Sequence, residues 1–278
     1  MKQRLLAGLL SLLLLAVTVG AWHLATLPKG GPPAADSEYA KLVGAQAAVG
    51  SKSAFPTPAD LGSKLAEHVR DPFYDRGPND KGIGVQLAYS VGRVLLGFAL
   101  AALAAIPAGF LIGMSPLVYR AFDPFIQVLK PISPLAWMPL ALFTLKDSNV
   151  SAVFVIFVCS IWPMLINTAF GVASVRREWL NVAKTLEVKP LRKAFAVILP
   201  AAAPTILTGM RISIGIAWLV IVAAEMLVGG TGIGYFVWNE WNNLSIANIL
   251  SGILAIGLVG MALDFLVGRL QKTVTYVE

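Results

Sequence analysis

Residues 179–200, WLNVAKTLEVKPLRKAFAVILP, decide the fold of this chain, because they form a basic loop between two long apolar segments. The first half of this stretch predicts a short amphipathic helix with one weakly apolar face. Pro190 interrupts that helix, and we expect Pro200 and Pro204 to open the next apolar segment. Such a helix fits either a groove on another protein or the membrane interface, where its lysines would extend toward water.

The composition of the 278-residue chain excludes a soluble globular enzyme. Hydrophobic residues make up 57% and charged residues 13% of the chain, whereas soluble domains carry about 25% charged residues. The single cysteine, Cys159, excludes an internal disulfide and a cysteine-based metal site. His23 and His68 are isolated in the sequence, so we expect no metal site and no catalytic residue.

Six segments are long and apolar enough to cross a membrane as helices, which takes about 20 residues each. None shows the alternating pattern of a membrane β-barrel, so the sequence predicts an all-α integral membrane protein with six transmembrane helices. The segments are residues 5–24, 89–114, 122–145, 150–173, 204–228 and 246–270.

The sequence predicts three parts. The first holds the N-terminal apolar segment, which fits either a retained transmembrane helix or a cleaved signal peptide. The second is a polar, Pro-rich extracytoplasmic segment with seven basic and seven acidic side chains, too small for an enzyme domain. The third is a membrane core of five spans that contains the basic loop. The parts are residues 1–27, 28–85 and 86–278, with the basic loop at 174–203.

Two short helices fit within the polar segment, at residues 37–49 and 58–69. Thr57 precedes the second as a good N-cap, and Pro58 takes its first helical position.

The basic side chains predict the orientation in the membrane. Six of the 22 Lys and Arg residues lie between Arg176 and Lys193, and short basic loops stay on the cytoplasmic side. With the N-terminus inside, the inside segments carry ten Lys and Arg residues, whereas the short outside loops carry only Lys146. We therefore expect both termini in the cytoplasm, and the net charge of +7 indicates topology, not nucleic-acid binding.

Polar and charged side chains within the spans are candidates for a translocation pathway, since such groups avoid lipid. The third span holds four prolines between residues 124 and 139, so it predicts either a broken segment that lines water or a kinked packing helix. Pro163 makes the fourth span the second candidate. The pathway candidates are Lys130, Ser133, Trp137, Asn167, Thr168, Arg211 and Glu225.

Two of these candidates have alternative roles. Arg211 fits either attraction of an anion or an interhelical ion pair, for which Asp264 is the candidate partner. Glu225 lies 14 residues further on, about 21 Å along a helix, so the two cannot pair. Hydrogen bonds to the backbone of a packed turn suit Glu225 better than contact with an anion, which it would repel.

Glycines and alanines carry two further signals. Small residues recur every four positions in the second span, which predicts close packing of another helix. The glycine-rich run 229–234 superficially resembles a phosphate-binding loop, but it follows a membrane span and not a strand, so we expect no nucleotide there. The small residues of the second span are Gly97, Ala101, Ala105, Gly109 and Gly113.

The 179–200 stretch resembles the EAA loop of ABC importer permeases, whose signature is Glu-Ala-Ala, three residues, Gly, nine residues and Ile-x-Leu-Pro. This chain keeps the spacing with Asn181-Val182-Ala183, Glu187 and Val197-Ile198-Leu199-Pro200, and it departs from the signature at Asn181 and Glu187. The Asn-Val-Ala form is usual in the nitrate, cyanate and bicarbonate subgroup. Further segments that resemble this subgroup are residues 71–82, 133–140, 154–157, 161–163, 167–171 and 224–230.

The resemblance, which covers about residues 71–270, implies a type I ABC importer permease in a bacterial inner membrane. It implies a second permease copy, two cytoplasmic ABC ATPase subunits, a periplasmic or lipid-anchored substrate-binding protein and surrounding membrane lipid, with no nucleic acid. ATP and Mg would bind the ATPases, and this chain, which lacks a Gly-x-x-x-x-Gly-Lys-[Ser/Thr] motif, would bind no cofactor. The residues implied to contact the ATPase are Asn181, Val182, Ala183, Lys184 and Glu187, followed by Leu199 and Pro200 at the end of the signature.

The favoured hypothesis is thus a pathway subunit of an ATP-driven importer for a small oxyanion, nitrate first and nitrite or bicarbonate second. The main alternative is a stand-alone secondary anion transporter or channel. Such proteins often contain internal repeats with matching broken helices, and no convincing match relates the two halves of this chain. A membrane scaffold without transport is a third hypothesis, which the broken third span disfavours.

Overall fold

The computed structural model describes residues 2–27, 55–77 and 79–274. These residues are helical or irregular, and their one extended pairing is an isolated bridge between Asp75 and Lys81. The chain divides into two compact units. One comprises the described residues of Met1–Asp71 with Glu240–Ser251, and the other those of Pro72–Asn239 with the described residues from Gly252 onward.

The described residues before Asp71 form the helices α1 (Lys2–Thr26) and α2 (Pro58–Arg70). The side chain of Thr57 accepts a hydrogen bond from the Asp60 amide, and Asp60 returns one to the Thr57 amide, which makes a capping box. The helix predicted at 58–69 is therefore confirmed. The helix predicted at 37–49 lies outside the described residues.

The larger unit holds most of the remaining helices, and α10 runs through both units. Four of the six long apolar segments predicted from the sequence are continuous helices whose ends shift by a few residues, and the segments 122–145 and 204–228 differ more. The helices are α3 (Ile83–Met114), α4 (Pro116–Leu129), α5 (Met138–Leu145), α6 (Ser148–Ala173), α7 (Arg177–Thr185), α8 (Pro190–Val228), α9 (Ile233–Asn242) and α10 (Ile246–Val274).

Within the part of the chain that the structure describes, five helices are long and apolar enough to cross a membrane: α1, α3, α6, α8 and α10. A sixth candidate span consists of α4 and residues Pro134–Leu145, that is, α5 with the short helical turn before it. These two parts are bent by 82° at the break between them. The break falls at residues 130–133, beside Pro131 and Pro134, because neither proline can donate to a continuous helical ladder. The predicted interruption of the third span is confirmed.

The start of α8 differs from the prediction. Pro200 and Pro204 do not open this helix, which begins ten residues earlier at Pro190 and continues through both prolines. Residues Ala194–Ile198 form a π-helical turn just before Pro200. A proline leaves carbonyls of the preceding turn without their helical donor, and a widened turn is one way for a helix to continue past it.

α6 lies at the centre of the larger unit, between α3 and α8. The small residues of α3 face α6: a side chain at Gly97 would meet Ile156, and one at Gly109 would meet Thr168 and the Leu165 carbonyl. Ala101 and Ala105 are fully buried in the same contact. The predicted packing role of this stripe is confirmed, because each small residue lets the two backbones approach.

Candidate functional site

The candidate coupling segment is α7 with the turn that follows it. The amide of Glu187 donates to the Lys184 carbonyl at 3.0 Å, and the amide of Val188 donates to the Ala183 carbonyl at 3.0 Å. This pattern is a Schellman motif, in which the residue after the helix takes a left-handed conformation. Glu187 is that residue, with φ of 50°.

The left-handed turn explains why the importer signature has glycine at the position of Glu187. Glycine takes this conformation without the clash between Cβ and the carbonyl that an L-residue suffers. In this chain the Glu187 side chain is exposed, so it can occupy the position without displacing a neighbour. The departure from the signature thus changes the residue and keeps the turn.

α7 is attached to the membrane helices by one face and leaves the other open. Ala183 is buried, and Leu180 packs on a cluster of α6 and α8 side chains that includes Val172 and Ile198. Val182 is 58% exposed and Leu186 is 70% exposed. An exposed apolar pair beside charged residues is typical of a surface that another protein covers.

The other residues implied to contact an ATPase flank this open face. Asn181, Lys184 and Glu187 are exposed. Leu199 packs on the cluster beneath α7, whereas Pro200 is exposed on α8. Asn181, Lys184 and Glu187 therefore lie on the open surface of α7 and its turn. Leu199 instead packs on the buried cluster through which α7 contacts α8.

A second polar site lies at the opposite end of α8, around the buried carboxylate of Glu225. Glu225 is 2% exposed, and its oxygens accept from Ser90 Oγ at 2.8 Å, the Gly234 amide at 3.0 Å and Arg93 Nη1 at 2.7 Å. The Arg93 guanidinium also donates to the Thr231 carbonyl and to Asn149 Oδ1. A buried charge held by an opposite charge and several hydrogen bonds is the arrangement that such a group requires.

The glycine-rich run wraps this carboxylate and supplies the N-terminus of α9. The Gly232 amide donates to Gln86 Oε1 at 2.6 Å, and the Ile233 amide donates to Ser90 Oγ at 2.9 Å. A Cβ at position 232 would overlap the Glu225 carboxylate, so the close approach requires glycine there. The run therefore binds a carboxylate of its own chain, and the predicted backbone hydrogen bond of Glu225 is confirmed.

Arg93 of α3 hydrogen-bonds residues of α6 and α8 and borders a cavity of about 320 Å³. The cavity lies between α3, the start of α6 and the end of α8, with Asn149 and Glu225 in its wall. Arg93 was not among the pathway candidates predicted from the sequence, and neither were Ser90, Gln86 and Asn149. The glycine-rich run was the one available signal, because its glycines indicate a close backbone approach.

The predicted ion pair between Arg211 and Asp264 is confirmed. Arg211 Nε lies 2.7 Å from Asp264 Oδ1, and Nη2 lies 2.6 Å from Oδ2, so the contact is bidentate between α8 and α10. The two side chains are 45% and 52% exposed. Charged side chains within apolar helices usually take a partner, and here each of the two supplies the partner of the other across α8 and α10.

The remaining pathway candidates occupy different environments. Lys130 and Ser133 are exposed at the break between α4 and α5, and Trp137 packs on a buried cluster around Met138. Asn167 donates to the Pro163 carbonyl at 2.8 Å. The side chains of Asn167 and Thr168 lie between helices: Asn167 packs opposite Gly209 of α8, and Thr168, fully buried, packs opposite Gly109 of α3.

The chain resembles several transport proteins in sequence. It is 43% identical to the nitrate import permease protein NrtB of Synechocystis sp. over 229 residues, which cover 82% of this chain and 83% of that protein. It is 44% identical to the bicarbonate transport system permease protein CmpB of the same organism over 204 residues, or 73% of each chain.

The fold is also similar to a solved structure. A chain of the inward-facing MetNI methionine ABC transporter superposes with a TM-score of 0.60, and the match covers 68% of this chain and 94% of that one at 13% identity. At this identity the likeness concerns the fold alone, which is that of a type I ABC importer permease. A family model, the binding-protein-dependent transport system inner membrane component, matches residues 105–275. The chain therefore belongs to the family of binding-protein-dependent transport system inner membrane components.

Proposed function

We propose that this chain is the transmembrane pathway subunit of an ATP-driven importer for a small inorganic oxyanion, with nitrate as the first candidate and nitrite or bicarbonate as the second. The observation that carries this proposal is α7, a short helix fixed to the membrane helices on one face and apolar on its open face. The similarity to both NrtB and CmpB supports an oxyanion of this size and does not separate nitrate from bicarbonate.

The open face of α7 would dock into a groove on a cytoplasmic ATPase subunit. Val182 and Leu186 would supply the apolar contact, and Asn181, Lys184 and Glu187 would supply the polar rim. Leu180 and Leu199 pack on one cluster, so a force on α7 would pass into α8. ATP and Mg would bind the ATPase, while this chain would bind no cofactor.

The assembly would contain two copies of this chain, two ATPases and one periplasmic or lipid-anchored binding protein. Both termini and α7 would lie in the cytoplasm, because the loop around α7 is the most basic part of the chain. The Glu225 cluster would then lie at the outer end of the spans. The polar segment before α3 would lie outside the membrane as well.

The pathway would follow the faces where polar groups remain open at membrane depth. Arg211 is the first candidate for contact with a passing anion, since its guanidinium is half exposed even when paired with Asp264. Lys130 and Ser133 at the break before α5 are the second. Asn167, Thr168, Trp137 and Glu225 would shape the pathway through helix packing.

The experiment that tests this function reconstitutes the chain with its ATPase and binding protein in proteoliposomes. We expect nitrate or bicarbonate uptake that requires ATP and binding protein. Val182→Asp places a charge on the open face of α7 and should abolish co-purification of the ATPase, whereas Val182→Ile, which keeps an apolar contact, should preserve it. Uptake without ATP, or normal ATPase retention by the Asp variant, would overturn the proposal.

A further inference from the structure

A cavity of about 400 Å³ lies where α3 and α6 end and α4 and α8 begin. Its wall is mostly apolar, with Met114, Phe170 and Ile198 among the lining residues. Two cationic side chains, Arg120 and Lys193, line it as well. None of the functions considered above uses this cavity, although Leu180 of α7 borders it.

The two cations have no acidic neighbour in the cavity wall. The lining residues all belong to the described part of the chain, and none of them is Asp or Glu. Within the described residues, neither Arg120 nor Lys193 forms an ion pair or a side-chain hydrogen bond. Two unpaired cations beside an apolar wall favour a ligand that carries both an anionic group and a hydrocarbon portion.

The position of the cavity fits the edge of the lipid bilayer. Two membrane-spanning helices, α3 and α6, end there, and the basic residues begin there. α4, which carries Arg120, has no buried residue and exposes Leu117, Phe122 and Phe125, as expected of a helix that lies against lipid. Tyr119 at the cavity rim is a residue type enriched at membrane interfaces.

We propose that this cavity binds an anionic phospholipid. Its phosphate contacts Arg120 and Lys193, and the first carbons of its acyl chains lie against Met114 and Phe170. Basic pockets between transmembrane helices on the cytoplasmic side are suited to anionic lipid headgroups. A free oxyanion would use the cations and leave the apolar wall exposed to water, so the lipid accounts for both halves of the cavity.

The bound lipid would connect α4, α6 and α8 next to the attachment of α7. Leu180 of α7 lines the cavity. A bound lipid would therefore contact the segment that is proposed to dock on the ATPase. The lipid site itself requires only that this end of the helices lie at the membrane surface, and it does not depend on which anion is transported.

The test measures binding of phosphatidylglycerol to the purified full-length chain by native mass spectrometry. The test variant is Arg120→Met with Lys193→Met. The control variant, Lys189→Met with Arg192→Met, removes the same charge from exposed residues of the same region that do not line the cavity. At about 1 kcal/mol per basic residue at an anionic membrane, we expect the test variant to bind about 30-fold more weakly. We expect the control to bind like the unmodified chain.

Two further experiments test whether binding depends on the positive charges and whether the bound anion belongs to a lipid. Arg120→Lys with Lys193→Arg keeps both charges and should retain binding, which separates loss of charge from misfolding. Phosphatidylcholine should bind weakly to every variant, and glycerol 1-phosphate, which has the headgroup phosphate without acyl chains, should compete poorly. Equal loss in the test and control variants would overturn the proposal. Competition by glycerol 1-phosphate at the concentration of the lipid would assign the cavity to a free oxyanion.

Discussion

Replacement of Glu187 by glycine is expected to stabilise the end of α7. Glu187 has φ of 50° in the turn that closes the helix, and its side chain is exposed, so the substitution removes no packing. A left-handed conformation costs an L-residue about 1–2 kcal/mol. Glycine avoids this cost. Its flexible backbone, however, favours the state in which the turn is open, which lowers the stability of the turn by about 0.5–1 kcal/mol. The net gain is about 0.5–1 kcal/mol.

The charge of Glu187 also contributes, because a negative side chain at a helix C-terminus opposes the helix dipole by about 0.3–1 kcal/mol. Glu187→Gln removes the charge and keeps the backbone cost, so it is the matched control. The turn at the end of α7 should be more stable in the glycine variant than in the glutamine variant, and the difference should equal the backbone contribution alone. Glu187→Val should have the opposite effect, since a β-branched residue fits positive φ poorly.

Hydrogen exchange of the chain in nanodiscs measures the effect directly. The amides of Glu187 and Val188 donate the two closing hydrogen bonds, to Lys184 and Ala183. A gain of about 0.5–1 kcal/mol slows their exchange about two- to fivefold relative to Glu187→Gln. Exchange at these amides that is equally fast in the glycine and glutamine variants would refute the left-handed turn as the reason for the glycine in the signature.

Three further experiments test the packing of the membrane helices, and each measures thermal unfolding of variants in detergent. Glu225→Gln should destabilise the chain by about 3 kcal/mol, because it leaves a largely buried arginine without its counter-charge. Gly109→Ala should cost about 1–3 kcal/mol, since its Cβ would lie 2.7 Å from a backbone carbonyl, whereas Gly215→Ala, at an open position, should cost nothing. Arg211→Met with Asp264→Asn should be more stable than the sum of the single variants predicts, and strict additivity would show that the pair does not interact.

The break in the third span and the close packing of α3 were predictable because each depends on local chemistry. Pro131 and Pro134, three residues apart, remove helical donors from one short stretch, and small residues at every fourth position allow close approach whatever the partner. The start of α8 was predicted wrongly for a related reason. Pro200 does not end that helix, since the preceding turn widens to a π-helical turn and the helix continues.

The position of Glu187 shows how sequence and structure complement each other. The sequence identified it as a departure from the importer signature, which weakened the resemblance. The structure shows that the turn is kept, with the same hydrogen bonds that a glycine would allow. A motif written in residue types therefore stands for a backbone conformation, and another residue can occupy it at a modest cost in free energy.

The amino-acid sequence by itself determined the membrane class, the approximate positions of most spans and the basic segment around α7, and it named Asp264 as one candidate partner for Arg211. These features follow from composition, periodicity and charge, which act over short stretches of chain. Only the tertiary structure decided that Glu225 pairs with Arg93, 132 residues away, and that the glycine-rich run encloses their contact. A buried charge takes its partner from whichever helix the packing brings near, and helix packing depends on the whole chain.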